Sequence, residues 1–449
     1  MKVVILGGGE SGVGAALLAK HKGMEVFLSD KGSLSDKYKQ ILVENAIPYE
    51  EGQHTESLVL EADEVIKSPG IPDKAPLIQA LVQKGITIIS EIEFASRYTK
   101  AKLIAITGSN GKTTTTLLTY HLLKSAGLKV GLAGNIGESF AKQVIADTFD
   151  YYVLEISSFQ LDNSYEFHPH IAILLNITPD HLDRYEYTFQ KYIDSKFRIA
   201  RKLAKEDYFI YYKENPPIEK ELAVRNIPAM LLPVSLESEV QTGAYLSNDT
   251  LVIRTGSPIR IALDELPVQG KHNAINSMAA ILTCRILDIE EVAIKAGLKT
   301  FQNAPHRLEK AGEINGVTFI NDSKATNVDS VFYALESMKQ PVVLIAGGID
   351  KGNDYTQIEE LVNQKVKALV CLGKDNSKLL AFFRGKVPII QETAYIREAV
   401  QMGLQLAKPG EVVLLSPACA SFDLFKNYED RGTQFKQAVS DLKNLKLQD

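Results

Sequence analysis

Strand, turn and helix follow one another along almost the whole of this chain, and this order leaves few folds open. Apolar runs of strand length, such as Val3–Leu6, Leu103–Thr107 and Val412–Leu415, end in small or polar residues before a helical pattern begins. Strands that alternate with helices in this way form parallel sheets covered by helices. The pattern restarts at joints near Tyr98–Lys102 and Lys299–Pro305, which divide the 449 residues into three parts. We therefore predict an α/β protein of three domains.

Each of the three parts contributes its own set of predicted strands. The first set is Val3–Leu6, Glu25–Leu28, Glu64–Lys67 and Thr87–Ile89. The second set is Leu103–Thr107, Tyr152–Glu155 and Ile171–Asn176, with two short β-rich pieces at Leu251–Arg254 and Arg260–Leu263. The third set is Val317–Ile320, Val342–Ala346, Ala368–Leu372, Val387–Ile390 and Val412–Leu415. An amphipathic helix is predicted from about Asn273 to Leu287.

A first glycine cluster follows the opening strand. Gly7, Gly9 and Gly12 have the GxGxxG spacing and lead into a helix, and Asp30 closes the next strand. Glycines let the backbone approach a diphosphate, and the N-terminus of the helix supplies positive potential. An NAD site, a site for another nucleotide diphosphate and a tight turn without any ligand all stay open at this point.

A second glycine cluster is more specific. The segment Gly108–Thr113 reads Gly-Ser-Asn-Gly-Lys-Thr and stands between a buried strand and a helix. Backbone N–H groups of such a loop hold phosphate oxygens, Lys112 neutralises phosphate charge, and the Thr113 hydroxyl can bind Mg²⁺. The longer P-loop motif has glycine where Ile106 stands here. We predict an ATP site formed by Gly108, Ser109, Asn110, Gly111, Lys112, Thr113 and Thr114.

Composition and charge narrow the classes of function. The chain has 50 Lys and Arg against 55 Asp and Glu, a net charge of −5, so we expect no nucleic-acid partner. Apolar residues make up 45% of the chain, and no apolar run approaches the roughly 18 residues that span a bilayer. Cys284, Cys371 and Cys419 form no CxxC pair, so neither a disulfide framework nor a zinc site is predicted. We expect a cytoplasmic protein without a membrane partner.

Polar residues after two strands of the second part indicate a metal and phosphate site. Glu155 ends a strand, where open α/β sheets bind ligands, and suits an Mg²⁺ site; a helix-capping role is the alternative. His181 follows the next strand, and although a lone histidine is more often structural, it shares a sheet edge with Glu155 and Lys112. Lys196 lies on a helix predicted from Phe189 to about Lys202. The basic residues near it indicate that it is one of several exposed basic residues on that helix.

Three loops of the third part are dense in small and polar residues. They are Asn303–Arg307 at the joint, Phe319–Asn327 after a strand and Ser416–Asp423 after the last strand. Such residues at strand ends suit an anion-binding edge, and Arg307 is placed to reach ATP phosphates. Ordinary turn chemistry is the alternative for each loop taken singly.

Taken together, these segments resemble the Mur ligases, the ATP-dependent amino-acid ligases of peptidoglycan synthesis. The resemblance covers essentially the whole chain. It is carried by Ile106–Thr113, Glu155–Leu161, Asp180–Tyr185, Lys271–Asn273, His306–Arg307, Asn321–Asn327 and Ser416–Phe422. The last two segments look specific to the members of the family that add D-glutamate.

The resemblance implies a role for each predicted domain. Residues 1–97 are expected to form a Rossmann-like domain that binds a UDP-linked substrate, residues 98–303 a P-loop-type ATP-binding domain whose parallel sheet carries a small β-rich part, and residues 304–449 a Rossmann-like domain that binds the amino acid. The expected reaction joins D-glutamate to UDP-N-acetylmuramoyl-L-alanine through an acyl phosphate. All substrates are then small molecules, and we expect a monomer.

The resemblance also implies site residues. Expected contacts of the UDP substrate are Glu10, Ser11, Asp30, Lys31, Gly70, Asn135 and His181. Asn273, Arg307 and Asp322 are expected to contact ATP, and Lys324, Thr326, Lys351, Ser416 and Phe422 to contact D-glutamate. The expected catalytic residues are Lys112, Glu155, His181 and Lys196. Two Mg²⁺ ions are expected, one near Thr113 and Glu155, the other near His181 and Lys196. Lys196 matches the lysine that the family carbamylates with CO₂, which reverses its reading as a surface residue.

Four rival functions stay open on the sequence, one of which is an NAD dehydrogenase that a titration with nicotinamide cofactor would test. A folate polyglutamate ligase shares the phosphate loop, a sister muramyl ligase adds L-alanine or a diamino acid, and an ATP-regulated sensor binds UDP-sugars without turnover. The first 97 residues argue against the folate enzyme, and the segments Asn321–Asn327 and Ser416–Phe422 argue against the sister ligases. The joint presence of Glu155, His181 and Lys196 argues against the sensor.

Overall fold

The computed structural model of the protein describes residues 1–268 and 270–446. Three sheets organise these residues into three α/β domains. The described residues form two compact units. Met1–Pro267 and Ala274–Phe301 make the first unit, which holds two of the sheets, and the other described residues make the second unit, which holds the third sheet. None of the helices described has the length and apolar character needed to cross a membrane.

The first sheet has five parallel strands in the order β3-β2-β1-β4-β5. Its elements are β1 Lys2–Leu6, α1 Glu10–His21, β2 Glu25–Asp30, α2 Asp36–Glu44, β3 Tyr49–Glu51, α3 Glu56–Val59, β4 Glu64–Lys67, α4 Pro76–Gln83, β5 Thr87–Ile89 and α5 Glu91–Ser96. From β1 the strands β2 and β3 follow on one side and β4 on the other, so the strand order reverses between β1 and β4. Ligands of open α/β sheets bind at such a reversal, next to the carboxyl ends of the strands. The loop of the first glycine cluster and the loop after β4 both begin there.

The second sheet has nine strands in the order β14-β13-β12-β11-β10-β9-β6-β8-β7. Its elements are β6 Lys102–Thr107, α6 Lys112–Ser125, β7 Val130–Gly134, α7 Phe140–Ala146, β8 Tyr151–Glu155, α8 Ser158–Asp162, β9 Ile171–Leu174, α9 Phe189–Phe197, β10 Tyr208–Tyr212, α10 Pro216–Leu222, β11 Met230–Ser235, β12 Gly243–Ser247, β13 Thr250–Arg254, β14 Ile259–Ala262, α11 Lys271–Ile286 and α12 Glu291–Thr300. Short 3₁₀ turns lie at Leu182–Arg184, Arg198–Ala200 and Leu263–Glu265. Strands β7 to β12 are parallel, whereas β12, β13 and β14 pair antiparallel.

The third sheet has six strands in the order β15-β16-β20-β17-β18-β19. Its elements are β15 Glu309–Ile314, β16 Val317–Asn321, α13 Val328–Ser337, β17 Val342–Ala346, α14 Thr356–Lys365, β18 Val366–Leu372, α15 Ser377–Phe383, β19 Ile389–Thr393, α16 Ile396–Leu406, β20 Val412–Leu415 and α17 Tyr428–Lys446. Among the strands described for this sheet, β15 and β16 pair antiparallel, and the remaining pairs are parallel.

The predicted fold class is confirmed, with parallel sheets in three domains and a β-rich extension of the second sheet. Several strands were missed by the prediction: β3, β7, β10, β11, β12 and β15. The predicted strand Val387–Ile390 was wrong in position, because β19 begins at Ile389, and the strand predicted to reach Asn176 ends at Leu174. The domain boundaries after residues 97 and 303 stay a proposal.

The first two domains pack through helices α1, α5 and α7. Gly14 of α1 faces the start of α7 so closely that a Cβ there would lie 1.9 Å from the Ser139 hydroxyl oxygen. Glu91 of α5 is buried, and its Oε1 accepts hydrogen bonds from the Ser139 hydroxyl and the Ala141 N–H, each 2.7 Å long. A buried carboxylate of the first domain therefore caps α7 of the second domain. Burial raises the pKa of Glu91 to about 7, and the neighbouring charge of Glu10 adds to the rise.

We expect Glu91 to make the stability of the protein depend on pH. Because the pKa of Glu91 is raised in the folded state from its ordinary value of 4.5, the protein loses stability as pH rises from about 4.5 to about 7. Glu91→Gln should not show this loss. Between about pH 5 and about pH 8, its free energy of unfolding should therefore rise by about 2 kcal/mol relative to that of the wild type. Chemical denaturation at both pH values measures the difference. Parallel pH profiles of the two proteins would contradict the assignment.

Candidate active site

The phosphate loop lies between β6 and α6, as its sequence predicts. Gly111 precedes the first residue of α6 with φ +85°, in the left-handed region, and a Cβ there would lie 2.4 Å from the side-chain oxygen of Asn276. The Asn110 N–H donates to the side-chain oxygen of Asn176 at 2.8 Å, and the Ser109 N–H donates to the carbonyl of Asn176 at 2.9 Å. The loop is thus fixed from the end of the neighbouring strand β9.

Two lysines donate to one carbonyl of this loop. Lys112 Nζ lies 2.8 Å from the carbonyl oxygens of Gly108 and Ser109, and Lys196 Nζ lies 2.8 Å from the same oxygen of Gly108. The interpretation of Lys196 from its neighbours as an exposed residue, which the family resemblance had reversed, was wrong, since only 1% of it is accessible. It lies on the buried face of α9 with Tyr192, whose ring centre is 4.7 Å from Nζ. Burial, helped by the charge of Lys112, lowers the pKa of Lys196 well below its ordinary value.

Glu155 lies at the carboxyl end of β8 and is buried. Its Oε1 accepts a hydrogen bond from the side-chain amide of Asn135 at 2.8 Å, whereas its Oε2 is buried without a hydrogen-bond partner among the described residues. A buried carboxylate oxygen of this kind fits a bound cation, because burying a charge without compensation is unfavourable. Asn135 follows β7, so the loops after β7, β8, β6 and β9 meet along one edge of the sheet.

The residues fit Mg²⁺ bound together with a phosphate. Among the residues described, no group of three His, Cys, Asp or Glu side chains is arranged to hold a metal alone. Mg²⁺ commonly takes one or two protein carboxylates, substrate phosphates and water. Glu155 and the Thr113 hydroxyl beside the phosphate loop match this requirement.

His181 lies beyond β9 in a strained turn. Its backbone has φ +52°, its side chain is 40% accessible, and its Nε2 lies 3.5 Å from Asp180 Oδ2. The imidazole packs edge-on against the ring of Phe159, with 5.1 Å between ring centres. His181 therefore lies in a loop, as its sequence predicts, and packs on an aromatic ring at the sheet edge.

The first glycine cluster combines packing and open space. A Cβ on Gly12 would lie 1.9 Å from the carbonyl oxygen of Gly7, but one on Gly9 would meet nothing within 4 Å. Asp30 accepts hydrogen bonds from the N–H groups of Gly8 and Gly32, at 2.5 and 2.7 Å, and so closes the loop itself. Lys31 is exposed beside it. Room for a ligand is thus left at Gly9, where α1 begins.

Two other residues expected to contact the UDP substrate, Glu10 and Gly70, already accept hydrogen bonds from neighbours. Glu10 at the start of α1 accepts a hydrogen bond from the hydroxyl of Tyr38 at 2.9 Å and a long one from the Ser139 N–H at 3.4 Å. Ser11 is half-buried in the first turn of the same helix. The carbonyl of Gly70, after β4, accepts a hydrogen bond from Arg184 at 3.3 Å.

The second unit groups several of its predicted residues around one carboxylate. Asp322 is buried after β16 and accepts hydrogen bonds from the Ser416 hydroxyl at 2.9 Å and the Leu308 N–H at 3.2 Å. Burial raises the pKa of Asp322 to about 7, against the opposing charge of Arg307. The Nε of Arg307 is buried without a hydrogen-bond partner among the described residues. Asp322, Arg307 and Ser416 therefore belong to one polar cluster.

Four other residues predicted for this unit lie on its loops. Lys324 has its Nζ 5.5 Å from the ring centre of Tyr428, and Thr326 is half-buried. Lys351 is exposed, and 69% of Phe422 is accessible. Asn273 is buried at the start of α11.

Sequence reasoning missed Arg431, which joins the loops of this unit. Its guanidinium is almost fully buried and donates to the Ser323 hydroxyl and carbonyl at 2.9 Å each, to the Cys419 carbonyl at 3.3 Å and to the Gly347 carbonyl at 3.4 Å. Burial lowers the pKa of Arg431 to about 10. One signal was available, because Arg431 shares a face of α17 with the buried Phe435 at the i, i+4 spacing.

Three family profiles match the chain. They are described as MurD N-terminal domain over residues 2–76, Mur ligase middle domain over 106–284 and Mur ligase, glutamate ligase domain over 306–419. Proteins named UDP-N-acetylmuramoylalanine--D-glutamate ligase are similar over 98% of the chain. One from Christiangramia forsetii is 54% identical with 99% of its length covered, and one from Porphyromonas gingivalis is 55% identical with 98% covered.

Solved structures with the same fold are more distant in sequence. The UDP-N-acetylmuramate-alanine ligase MurC from Thermotoga maritima aligns with a TM-score of 0.62 at 18% identity, over 99% of this chain and 100% of the other. A pseudomurein peptide ligase type C from Methanothermus fervidus aligns with a TM-score of 0.62 at 20% identity, over 98% of this chain and 100% of the other. These alignments establish the three-domain fold.

We expect Gly111→Ala to weaken ATP binding without unfolding the protein. The left-handed backbone disfavours alanine by about 1–2 kcal/mol, and the new Cβ meets the Asn276 side chain, so ATP affinity should fall about tenfold or more. Isothermal titration with ATP and Mg²⁺ measures the change. Gly127→Ala is the matched control, because Gly127 follows the other end of α6 with φ +87° and open space around it. Equal affinities of the two variants would contradict the role of Gly111.

Proposed function

The chain belongs to the Mur ligase family, and from this premise we propose that it joins D-glutamate to UDP-N-acetylmuramoyl-L-alanine while ATP is converted to ADP and phosphate. The observation that carries the proposal is the pair of lysines on the Gly108 carbonyl, one of them buried. Binding of ATP alone requires only Lys112. The relatives named for this reaction, which match nearly the full length, support the choice of D-glutamate.

The proposed reaction has two steps. The free carboxylate of the UDP substrate attacks the γ-phosphorus of ATP, which forms an acyl phosphate and releases ADP. The amine of D-glutamate then attacks the acyl carbon, and phosphate leaves as the amide bond forms. Lys112 neutralises charge on the transferring phosphoryl group and holds it in line with the carboxylate.

Two Mg²⁺ ions are proposed at the sheet edge. Thr113 and Glu155 would hold one ion, and His181 with carbamylated Lys196 would hold the other. Bound Mg²⁺ supplies positive charge to the phosphate oxygens. The partnerless Oε2 of Glu155 supports the first assignment.

Lys196 is the residue that we propose to be carbamylated. Its amine nitrogen would attack the carbon of CO₂ and lose a proton, which leaves an anionic carbamate on the side chain. Only the neutral amine reacts in this way, and the lowered pKa of buried Lys196 favours that form. A cation is thereby exchanged for a carboxylate-like ligand beside Lys112.

The substrate contacts are proposed from the same family pattern. The UDP part would lie at the open space beside Gly9, with contacts from Glu10, Ser11, Asp30, Lys31, Gly70, Asn135 and His181. ATP would also contact Asn273, Arg307 and Asp322. D-glutamate would contact Lys324, Thr326, Lys351, Ser416 and Phe422, and the two lysines suit its carboxylates. We propose that the protein acts as a monomer in the cytoplasm.

The reaction predicts phosphate release that depends on three substrates. With ATP, Mg²⁺ and UDP-N-acetylmuramoyl-L-alanine, release should require D-glutamate, because only its amine resolves the acyl phosphate. L-Glutamate, L-alanine and diamino acids serve as controls in a coupled phosphate assay. ATP binding without release in the presence of any amino acid would instead support the sensor function. Release with L-alanine or a diamino acid would support a sister ligase.

We expect Lys196→Ala to fold normally and to lose nearly all activity. The substitution removes the anionic ligand that the carbamate would supply, so acetate or another short carboxylate should restore part of the activity. Lys191→Ala is the matched control on the same helix, because the Lys191 side chain is 49% accessible and pairs with Glu186. A fully active Lys196→Ala enzyme would exclude the carbamate role.

A further inference from the structure

Arg184 connects a loop of the first domain with the segment that carries His181. Its guanidinium donates to three successive carbonyls after β4: Nη2 to Pro69 at 3.1 Å and to Ile71 at 3.4 Å, and Nη1 to Gly70 at 3.3 Å. Arg184 itself lies in the 3₁₀ turn that follows His181, and its N–H donates to the His181 carbonyl at 2.9 Å. The two segments are more than a hundred residues apart in sequence, and the contact between them is direct.

The same guanidinium rests on an aromatic ring that also supports the imidazole. Its central carbon lies 4.5 Å from the ring centre of Phe159, and that ring lies 5.1 Å from the ring of His181. A planar guanidinium is suited to stack on a ring and to donate in several directions at once, which an ammonium group cannot do. Arg184 is thus fixed on the second domain while it holds the first.

The loop held by Arg184 borders the first glycine cluster. Lys67, which is almost fully buried, donates to the Ile71 carbonyl at 2.9 Å and to Asp73 at 2.7 Å. On the other side, Ser68 lies so close to Gly7 that a Cβ there would be 2.4 Å from its hydroxyl oxygen. Lys67 and Arg184 therefore both donate to carbonyls of residues 69–71. A shift of this loop would press Ser68 against the glycine turn.

We propose that Arg184 is a positioning residue. It fixes the distance between the place where the first domain binds one end of the UDP substrate and the place where the second domain holds the other end. The inference rests on the proposed function, in which the uridine diphosphate binds at the first domain and the reacting carboxylate lies beside the phosphate loop. The substrate must bridge these two places, so its carboxylate is in line with ATP only if the loop of residues 68–71 keeps its position relative to His181. Arg184 makes that connection, and the contacts described for its guanidinium lie outside the phosphate loop.

Steady-state kinetics of Arg184→Ala and Arg184→Lys test this role. Misplacing a substrate by about 1 Å can lower a rate about a hundredfold, so kcat/KM for the UDP substrate should fall about thirtyfold or more in Arg184→Ala. The KM for ATP should stay within about twofold. Arg184→Lys keeps the charge but not the stacked fork, and it should recover only a small part. Millimolar guanidinium chloride should partly restore Arg184→Ala, which a merely structural defect would not allow.

Arg225→Ala is the matched control. Arg225 also stacks on a phenylalanine, with 4.8 Å between its central carbon and the Phe197 ring, and it pairs with Asp194 and Glu221 of its own domain. Its loss should leave kcat/KM for the UDP substrate within about twofold of the wild type.

Two results would overturn the proposal for Arg184. One is a kcat/KM for the UDP substrate in Arg184→Ala within about threefold of the wild type. The other is an equal rise of both KM values with a lowered melting temperature and no guanidinium rescue, which would assign Arg184 to folding alone. Should Arg184→Ala not fold, Arg184→Lys decides, since wild-type kinetics of that variant would also exclude the role. An inactive wild type would refute the proposed function instead, so the two failures are distinguishable.

Discussion

The arrangement of the phosphate site in the second domain depends on the hydrogen bonds that the carbonyl oxygen of Gly108 accepts. This carbonyl accepts hydrogen bonds from Lys112 at the start of α6 and from Lys196 near the end of α9, so one oxygen of the phosphate loop links these two helices. Burial of Lys196 as a cation is unfavourable, and the adjacent charge of Lys112 repels it, so the pKa of Lys196 is lowered. The proposed carbamate would remove the conflict, because Lys112 would then face an anion.

Most strands of strongly apolar sequence could be predicted, whereas the edge strands β3, β7 and β15 and the interior strands β10, β11 and β12 of the second sheet could not. Interior parallel strands are covered on both faces and appear as apolar runs, such as Val3–Leu6 and Val342–Ala346. Strands β3, β7 and β15 lie at sheet edges and are short, polar or rich in glycine; β15 also contains an irregular register near Gly312. An edge strand is half solvated and is stabilised by its single neighbour, so its own residues carry little signal.

The candidate site divides in a similar way. The phosphate loop is local, since its glycines, Lys112 and the first turn of α6 are consecutive in sequence. Lys196 is different, because its burial depends on how α9 packs near a carbonyl 88 residues earlier in the chain. Arg431 likewise finds Ser323 at a separation of 108 residues. The partners of such contacts cannot be identified from sequence periodicity, and only the family resemblance pointed to Lys196.

The first and second domains share one apolar core, in which Val3 and Leu28 belong to the same cluster as Leu103 and Phe209. Apolar contact holds two surfaces together but is not directional, so it permits small sliding movements. Buried hydrogen bonds are directional, so they restrict the sliding that the apolar core permits. Glu93 of α5 accepts hydrogen bonds from two backbone N–H groups of the second domain, each 3.0 Å long, beside those that Glu91 accepts from the start of α7. The distance between the glycine turn of the first domain and the phosphate loop of the second therefore depends on a small set of charged side chains.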